Sequence, residues 1–397
     1  MPTLLQINVT ANWGSTGKIA EQIGQVVMAH GWESYIAYGR MMNPSKSKLI
    51  KIGTKFDVYE HYAENLILDN EGLASRRSTK RFLKKLDLIK PDIVHLHNIH
   101  DHYINYRYLL RYLIDNKIPI VWTFHDFWPV TGHCPHFIKG NCYKWQKECY
   151  ECALSKSWVD RSNRNFYYKK SLLQNIKNLH VVCVSDWVSS VVKESFLANH
   201  DIRVVSNGID LSIFKPSESK QIQHLYRDKY VILAVASQWK EGKGLNDYLA
   251  MSQLIKEDEV IVLVGVDEKI KRSLPNNIIG INRTNNVQEL VDLYTRADVV
   301  TSLSSAETFG LTIIESYACG TPVVAYNNTA QGSLITNATG ICVDDKNYKM
   351  AYEAIQEIRK SGKAKYSKEC IRFVTDRYNE TYTKNQYMDL YNELLKL

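Results

Sequence analysis

Short runs rich in Val, Ile and Leu recur along the chain, and most are followed by a helical pattern. In the first half they are Leu4–Val9, Ser34–Tyr38, Ile93–His97, Ile118–Phe124, His180–Ser185 and Arg203–Val205. In the second half they are Val231–Ala236, Val260–Gly265, Ile278–Gly280, Val299–Ser302, Pro322–Ala325 and Gly340–Val343. None alternates apolar with polar residues, which is how strands covered on both faces read. Strands of that kind interleaved with helices predict parallel sheets in doubly wound α/β domains. With 397 residues the chain has room for two such domains. Ile213 to His224, IFKPSESKQIQH, has no apolar period and reads as the linker. Near the end, Tyr387, Leu390, Tyr391 and Leu394 share one face of a helix, which therefore packs on a domain.

Composition narrows the class. Hydrophobic residues make up 45% and charged residues 23%, as in ordinary globular proteins. No apolar run approaches the roughly 20 residues of a membrane span. The N-terminus lacks the basic, apolar and small-residue pattern of a signal peptide, so a cytoplasmic location is expected. There the eight cysteines are thiols or metal ligands rather than disulfides. A net charge of +8 suits an anionic ligand or membrane surface and does not call for nucleic acid.

Two stretches bear on chemistry. NWGSTGKIAEQIG, Asn12 to Gly24, lies between a strand and a helix. It fails the triphosphate pattern G-x-x-x-x-G-K-[ST], because Asn12 stands at the first glycine and Ile19 follows Lys18. A glycine-rich turn at a helix N-terminus still offers backbone N–H groups to an anion. The second stretch is SSAETFGLTIIESYACGTPVVA, Ser304 to Ala325, in which seven residues separate Glu307 from Glu315. A helix over 310–318 puts Glu307 at its mouth and Glu315 more than a turn inside. The N–H groups of Phe309, Gly310, Leu311 and Thr312 then point at the site, which suits a diphosphate.

This stretch resembles the E-x7-E signature of the retaining family-4 glycosyltransferases, which have the two-domain GT-B fold. Other pieces agree in order: PDIVHLHN (91–98), WTFHDFW (122–128), VVCVSDW (181–187), VVSNGIDLSIF (204–214), KGL (243–245) and ELVDLYTRADVVTSLSSAETFG (289–310). The resemblance implies two Rossmann-like domains facing a cleft. The acceptor side is 1–200, the nucleotide-sugar side is 201–375, and a helix over 376–397 returns to the first domain. It implies that Glu315 takes the ribose hydroxyls, that Glu307 faces the transferred sugar, and that Lys243 holds the diphosphate. His125 lies beside the sugar, and Gly14 and Gly17 form the loop that approaches phosphate and acceptor. By the same resemblance the expected donor is a nucleotide-sugar, foremost a UDP-sugar, and the expected acceptor a glycan hydroxyl, lipid-linked, in cell-surface polysaccharide assembly. No catalytic metal is expected, because Lys243 and helix dipoles stabilise the leaving diphosphate. The alternatives are a GT-B sugar-nucleotide epimerase and a nucleotide-binding relative without turnover. The chain departs from the family where an arginine usually precedes the lysine: Gln238 and Trp239 stand there, so either Lys240 substitutes or the diphosphate is held by Lys243 and backbone dipoles.

Three further clusters stand apart. Cys134, Cys142, Cys149 and Cys152 could close a tetrahedral zinc site, although the spacings fit no common zinc module, or remain reduced thiols. HLHNIHDH, His95 to His102, reads as a strand end lining the cleft, since no carboxylate or cysteine in it completes a ligand set. RRSTKRFLKKL places Arg76, Arg77, Lys80, Arg81, Lys84 and Lys85 on a helix with Phe82, Leu83 and Leu86 on an apolar side. It is expected to lie on the inner face of the cytoplasmic membrane.

Overall fold

The computed structural model describes residues 1–218, 226–239 and 242–396. It divides into two compact units, Met1–Ser206 with Lys384–Leu397, and Asn207–Thr383. Each is built on one all-parallel sheet.

The first sheet has seven strands: β1 (Thr3–Asn8), β2 (Glu33–Tyr38), β3 (Lys48–Lys51), β4 (Ile93–Leu96), β5 (Ile120–Phe124), β6 (Leu179–Cys183) and β7 (Asp201–Val204). Their order is β3-β2-β1-β4-β5-β6-β7. Six of the seven lie on the runs read from sequence. The seventh, β3, is the edge strand KLIK; lysines at both ends suit an open edge and hide it from a hydrophobic pattern. Because β7 pairs with β6, residues up to Ser206 belong to this unit, beyond the boundary expected at 200.

Helix Gly14–Ala29 lays Ile23 and Val27 on Leu4, Ile93, Val121 and Val182. The same cluster takes Tyr387, Met388, Leu390 and Tyr391 from the C-terminal helix Glu380–Leu395. Burying a large apolar side chain contributes about 1.5–3 kcal/mol, so this helix is part of the unit's core. Its tyrosine hydroxyls are also spoken for: Tyr391 Oη lies 2.6 Å from His95 Nδ1, and Tyr387 Oη lies 3.0 Å from Thr123 Oγ1.

The basic helix forms over Arg76–Ile89, but its apolar side is not open to a bilayer. Phe82 and Leu86 are buried in the protein core, and Leu83 is half-buried, which corrects the expectation of a free amphipathic face. Arg76 forms a two-pronged ion pair with Glu64 of helix Lys55–Leu68. Among the described residues no helix is long and apolar enough to cross a membrane.

The second sheet contains β8 (Tyr230–Val235), β9 (Glu259–Val264), β10 (Ile278–Ile281), β11 (Val299–Ser302), β12 (Val323–Tyr326) and β13 (Gly340–Val343), in the order β10-β9-β8-β11-β12-β13. All six match expected runs. The expected linker falls partly outside the described residues, at 219–224. In both sheets strand order reverses at one place, between β1 and β4 and between β8 and β11. Loops leaving the carboxyl ends of those strands diverge there, and ligands of doubly wound sheets bind in the resulting crevice.

Candidate active site

In the second unit, the loop after β8 carries Lys243 and the loop after β11 carries Glu307. The reversal of strand order places these loops side by side. Gly242 O accepts from Ser305 N at 2.9 Å and from Ser304 Oγ at 3.0 Å. Gly244 has φ +76°, and a Cβ there would lie 2.3 Å from Leu303 O, so only glycine allows the loops this close. The result is a direct contact, with Lys243 Nζ 2.5 Å from Glu307 Oε1 in a half-buried ion pair.

Gly310 follows at φ +107° and caps helix Leu311–Ala318 without a side-chain hydrogen bond. The N–H groups of the first turn thus point out of the β11 loop. Phe309 is buried, with its ring against Tyr378, so its backbone rather than its side chain borders the site. Glu315 lies on the same helix, and Tyr294 donates its hydroxyl to Glu315 Oε2 at 2.8 Å. Burial and the Glu315 charge push the Tyr294 phenol well above its ordinary value, so it remains a donor.

Sequence reasoning did not single out the brace beneath Glu307. Glu307 N donates to Thr329 Oγ1 at 3.0 Å, and Ala330 N donates to Glu307 O at 3.2 Å. Gln331 Nε2 donates to Ser304 O at 2.8 Å, while its Oε1 accepts from Ser302 Oγ at 2.8 Å. The signal was the polar run NNTAQG directly after a buried strand. The departure from the family at 238–240 is partly resolved. Trp239 is buried and donates its indole N–H to Val264 O at 2.9 Å, so it is a structural residue. Gln238 is exposed, and Lys240 lies outside the described residues.

In the first unit, Gly14 opens its helix and Gly17 sits in the first turn, where its carbonyl accepts from Asn12 N at 3.1 Å. Asn8, at the end of β1, donates through Nδ2 to Thr10 O at 2.8 Å and to Thr16 Oγ1 at 3.2 Å. Its Oδ1 accepts from Asn98 N after β4, at 3.2 Å, tying the two loops at the switch point together.

His125 follows β5 and stacks on His97, with His125 Nε2 3.0 Å from His97 Nδ1. The far nitrogen of His97 lies 3.1 Å from Gln6 Oε1, and Gln6 Nε2 donates to Ala20 O at 2.7 Å. The Gln6 oxygen is therefore an acceptor, His97 carries its proton on Nε2, and His125 must donate through Nε2. This leaves His125 Nδ1 as an acceptor. Burial lowers the pKa of His125 to about 4 and that of His97 well below its ordinary value, so both rings are neutral near pH 7.

A second histidine in the cluster behaves oppositely. Burial opposes charge on His100, but Asp126 Oδ2 at 2.8 Å and Asp101 Oδ1 at 3.5 Å raise its pKa well above the usual value. Glu71 also approaches His100 and Asp101. Asp126 and Glu71 come from other loops, while Asp101 is within the stretch, and the contacts with Asp126 and Asp101 favour the charged form of His100.

The expected site residues thus form two sets. Lys243, Glu307, Gly310, Leu311, Thr312 and Glu315 belong to the β8–β11 switch point, while Gly14, Gly17 and His125 belong to the first unit. The cysteines line a separate cavity, and the basic helix is a surface of its own.

Comparison with known proteins agrees with this architecture. Residues 17–213 match the family described as Glycosyltransferase Family 4, and residues 216–375 match Glycosyl transferases group 1. The chain is 21% identical over 362 residues to WcaC of Escherichia coli strain K12, whose name assigns it as a glycosyl transferase of colanic acid biosynthesis; 86% of this chain and 87% of that protein are covered. Among solved structures, sucrose-phosphate synthase of Thermosynechococcus elongatus superposes with TM-score 0.75 at 17% identity, covering 100% of both chains. HepE of Anabaena in complex with UDP-glucose gives TM-score 0.68 at 13% identity, covering 98% of this chain and 99% of that one.

Proposed function

Because this chain belongs to the family-4 glycosyltransferases and has their two GT-B domains, we propose that it transfers a sugar from a UDP-sugar to a hydroxyl of a lipid-linked glycan, with retention of anomeric configuration. The observation that carries this reading is the contact between Lys243 and Glu307 beside the Gly310 helix start, with Glu315 one helix turn further in. A cation and first-turn N–H groups suit a diphosphate, and a carboxylate backed by a tyrosine suits the two hydroxyls of a ribose. The UDP-glucose bound to HepE and the polysaccharide role in WcaC's name support the choice of donor and acceptor.

In the proposed reaction the anomeric C–O bond to the diphosphate breaks as the acceptor oxygen bonds on the same face. The acceptor proton passes to the departing diphosphate, so no enzyme-bound sugar forms. Lys243 and the N–H groups of 310–312 take up the leaving charge, and divalent metal is not required. Glu307 faces the positive charge developing on the sugar. His125, neutral and accepting through Nδ1, orients a sugar hydroxyl.

A panel of nucleotide-sugars tests the assignment. Acceptor-dependent release of UDP without added Mg²⁺ or Mn²⁺ is expected, together with a glycosylated product. Glu315→Ala should weaken UDP binding by about 1.5–3 kcal/mol, the range for a hydrogen bond to a charged group. Epimerised sugar nucleotide without acceptor modification, or unchanged UDP affinity in a folded Glu315→Ala variant, would refute the reading.

The lipid-linked acceptor implies contact with the inner face of the cytoplasmic membrane, and the first unit has a surface suited to it. Arg77, Lys80, Arg81, Lys84 and Lys85 are exposed. On helix Lys55–Leu68, tied to the basic helix by the Glu64–Arg76 pair, Phe56 is 75% and Tyr59 71% exposed. Each basic residue near an anionic bilayer contributes about 1 kcal/mol. Arg77→Glu, Arg81→Glu and Lys84→Glu combined should therefore weaken binding to phosphatidylglycerol vesicles by about 100-fold or more. Turnover on a soluble acceptor should be unchanged. Equal vesicle binding by parent and variant would reduce the helix to a solvated face.

A further inference from the structure

The segment between β5 and helix Ser162–Leu173 is held by little regular structure. It contains three short 3₁₀ turns, Trp128–Val130, Phe137–Gly140 and Lys144–Gln146, and otherwise loops. A loop of this length in a compact domain needs its own source of order. Phe137 and Trp145 supply a small buried aromatic centre, with ring centroids 4.8 Å apart. Beside it lies a cavity lined by Cys134, Cys142, Cys149 and Cys152, with His133 at its wall. All four cysteines are free thiols, and Cys134 and Cys149 are buried.

We propose that Cys134, Cys142, Cys149 and Cys152 bind one structural zinc ion in tetrahedral thiolate coordination, with His133 and Lys169 as its supporting groups. Three features around the cavity fit thiolate ligands rather than idle thiols. Gly132 N points at Cys149 Sγ from 3.2 Å, the backbone N–H···S bond that stabilises a coordinated sulfur. His133 is 7% exposed; Asp69 Oδ1 holds its Nδ1 at 3.0 Å, and its Nε2 is buried with no hydrogen-bond partner. Cys152 is close enough to that ring to interact with it. The unpartnered His133 Nε2 is thus the atom placed to meet the Cys152 sulfur.

The third feature is charge balance. Four thiolates around zinc carry a net charge of two minus, which is costly to bury without cations nearby. Lys169 is 1% exposed, and its Nζ donates to Trp128 O at 2.7 Å and Thr131 O at 3.0 Å. There it lies close enough to Cys134 and Cys149 to interact with both. Asp69 and Asp160, which come near His133, are taken up as scaffold: Asp69 Oδ2 accepts from Arg161 N at 2.8 Å and Asp160 Oδ2 from Cys152 N at 2.7 Å. Among the described residues no three of the sulfurs lie within 4.8 Å of one another, so coordination at about 2.3 Å per Zn–S bond would draw them inward by side-chain rotation.

Elemental analysis of the full-length protein, purified without chelator or affinity metal, should give about one zinc per chain. Cobalt(II) exchanged into the site should show intense thiolate-to-metal charge transfer and the visible bands of tetrahedral four-sulfur coordination. Stripping the metal should add four reactive thiols to a titration of the native protein. Cys149→Ser with Cys152→Ser should abolish zinc uptake; if that variant does not fold, the parent's metal content and cobalt spectrum decide. The proposal is overturned by metal-free protein whose four thiols react freely, by a Cys134–Cys152 disulfide in the peptide map, or by zinc retained in the folded double variant.

Discussion

Replacing Glu307 by Gln is expected to lower turnover by about 10²–10³-fold while leaving UDP affinity within a few-fold of the parent or improving it. The asymmetry follows from the 2.5 Å contact with Lys243. A neutral amide offers less to the positive charge that develops on the sugar, and that loss appears only in the transition state. The amide also releases Lys243 from an ion pair that competes with the diphosphate. Steady-state UDP release and calorimetry with UDP separate the two effects. Unaltered turnover with every donor used by the parent would make the paired glutamates structural, leaving the reaction to rest on fold analogy.

Lys243→Ala should behave differently, because its charge meets the diphosphate before and during bond breaking. UDP affinity should fall by about 10–100-fold, the equivalent of 1.5–3 kcal/mol for a charge-assisted contact. Turnover per bound donor should fall by a further tenfold or more, since the leaving group gains charge as it departs. Without its partner, Glu307 would also confront the diphosphate with like charge. Adding Glu307→Gln to Lys243→Ala should therefore restore part of the lost UDP affinity while turnover stays low, a coupling that a double-mutant cycle measures directly. Strict additivity in UDP binding would show that the Lys243–Glu307 pair does not compete with the nucleotide.

The strands were legible because parallel strands buried on both faces need continuous apolar runs, and twelve such runs coincide with strands. β3 escaped because an edge strand has no such need, and two of its four residues are lysines. Glu307 and Glu315 stood out as candidates through their spacing and Lys243 through the family resemblance, and the structure brings Lys243 and Glu307 into contact. The partners that fix their loops were not legible: Thr329 reaches Glu307 and Gln331 reaches Ser304 only because β12 lies beside β11. Two carboxylates around His100 were hidden for the same reason, since Asp126 comes from after β5 and Glu71 from before the basic helix. On that helix, periodicity correctly identified an apolar side but could not say what covers it. Phe82 and Leu86 face the protein's own core.

The first unit is discontinuous, and this affects how the protein is made. Its sheet ends at Val204, yet Tyr387, Leu390 and Tyr391, which join Leu4 and Val121 in its core, lie in the last helix of the chain. As the ribosome releases the chain from its N-terminus, the first domain emerges without those side chains and with His95 and Thr123 lacking their tyrosine partners. The second unit, continuous from Asn207 to Thr383, can complete itself earlier in synthesis. The domain translated first is thus finished last, and until then part of its apolar surface stays exposed to aggregation or chaperone capture.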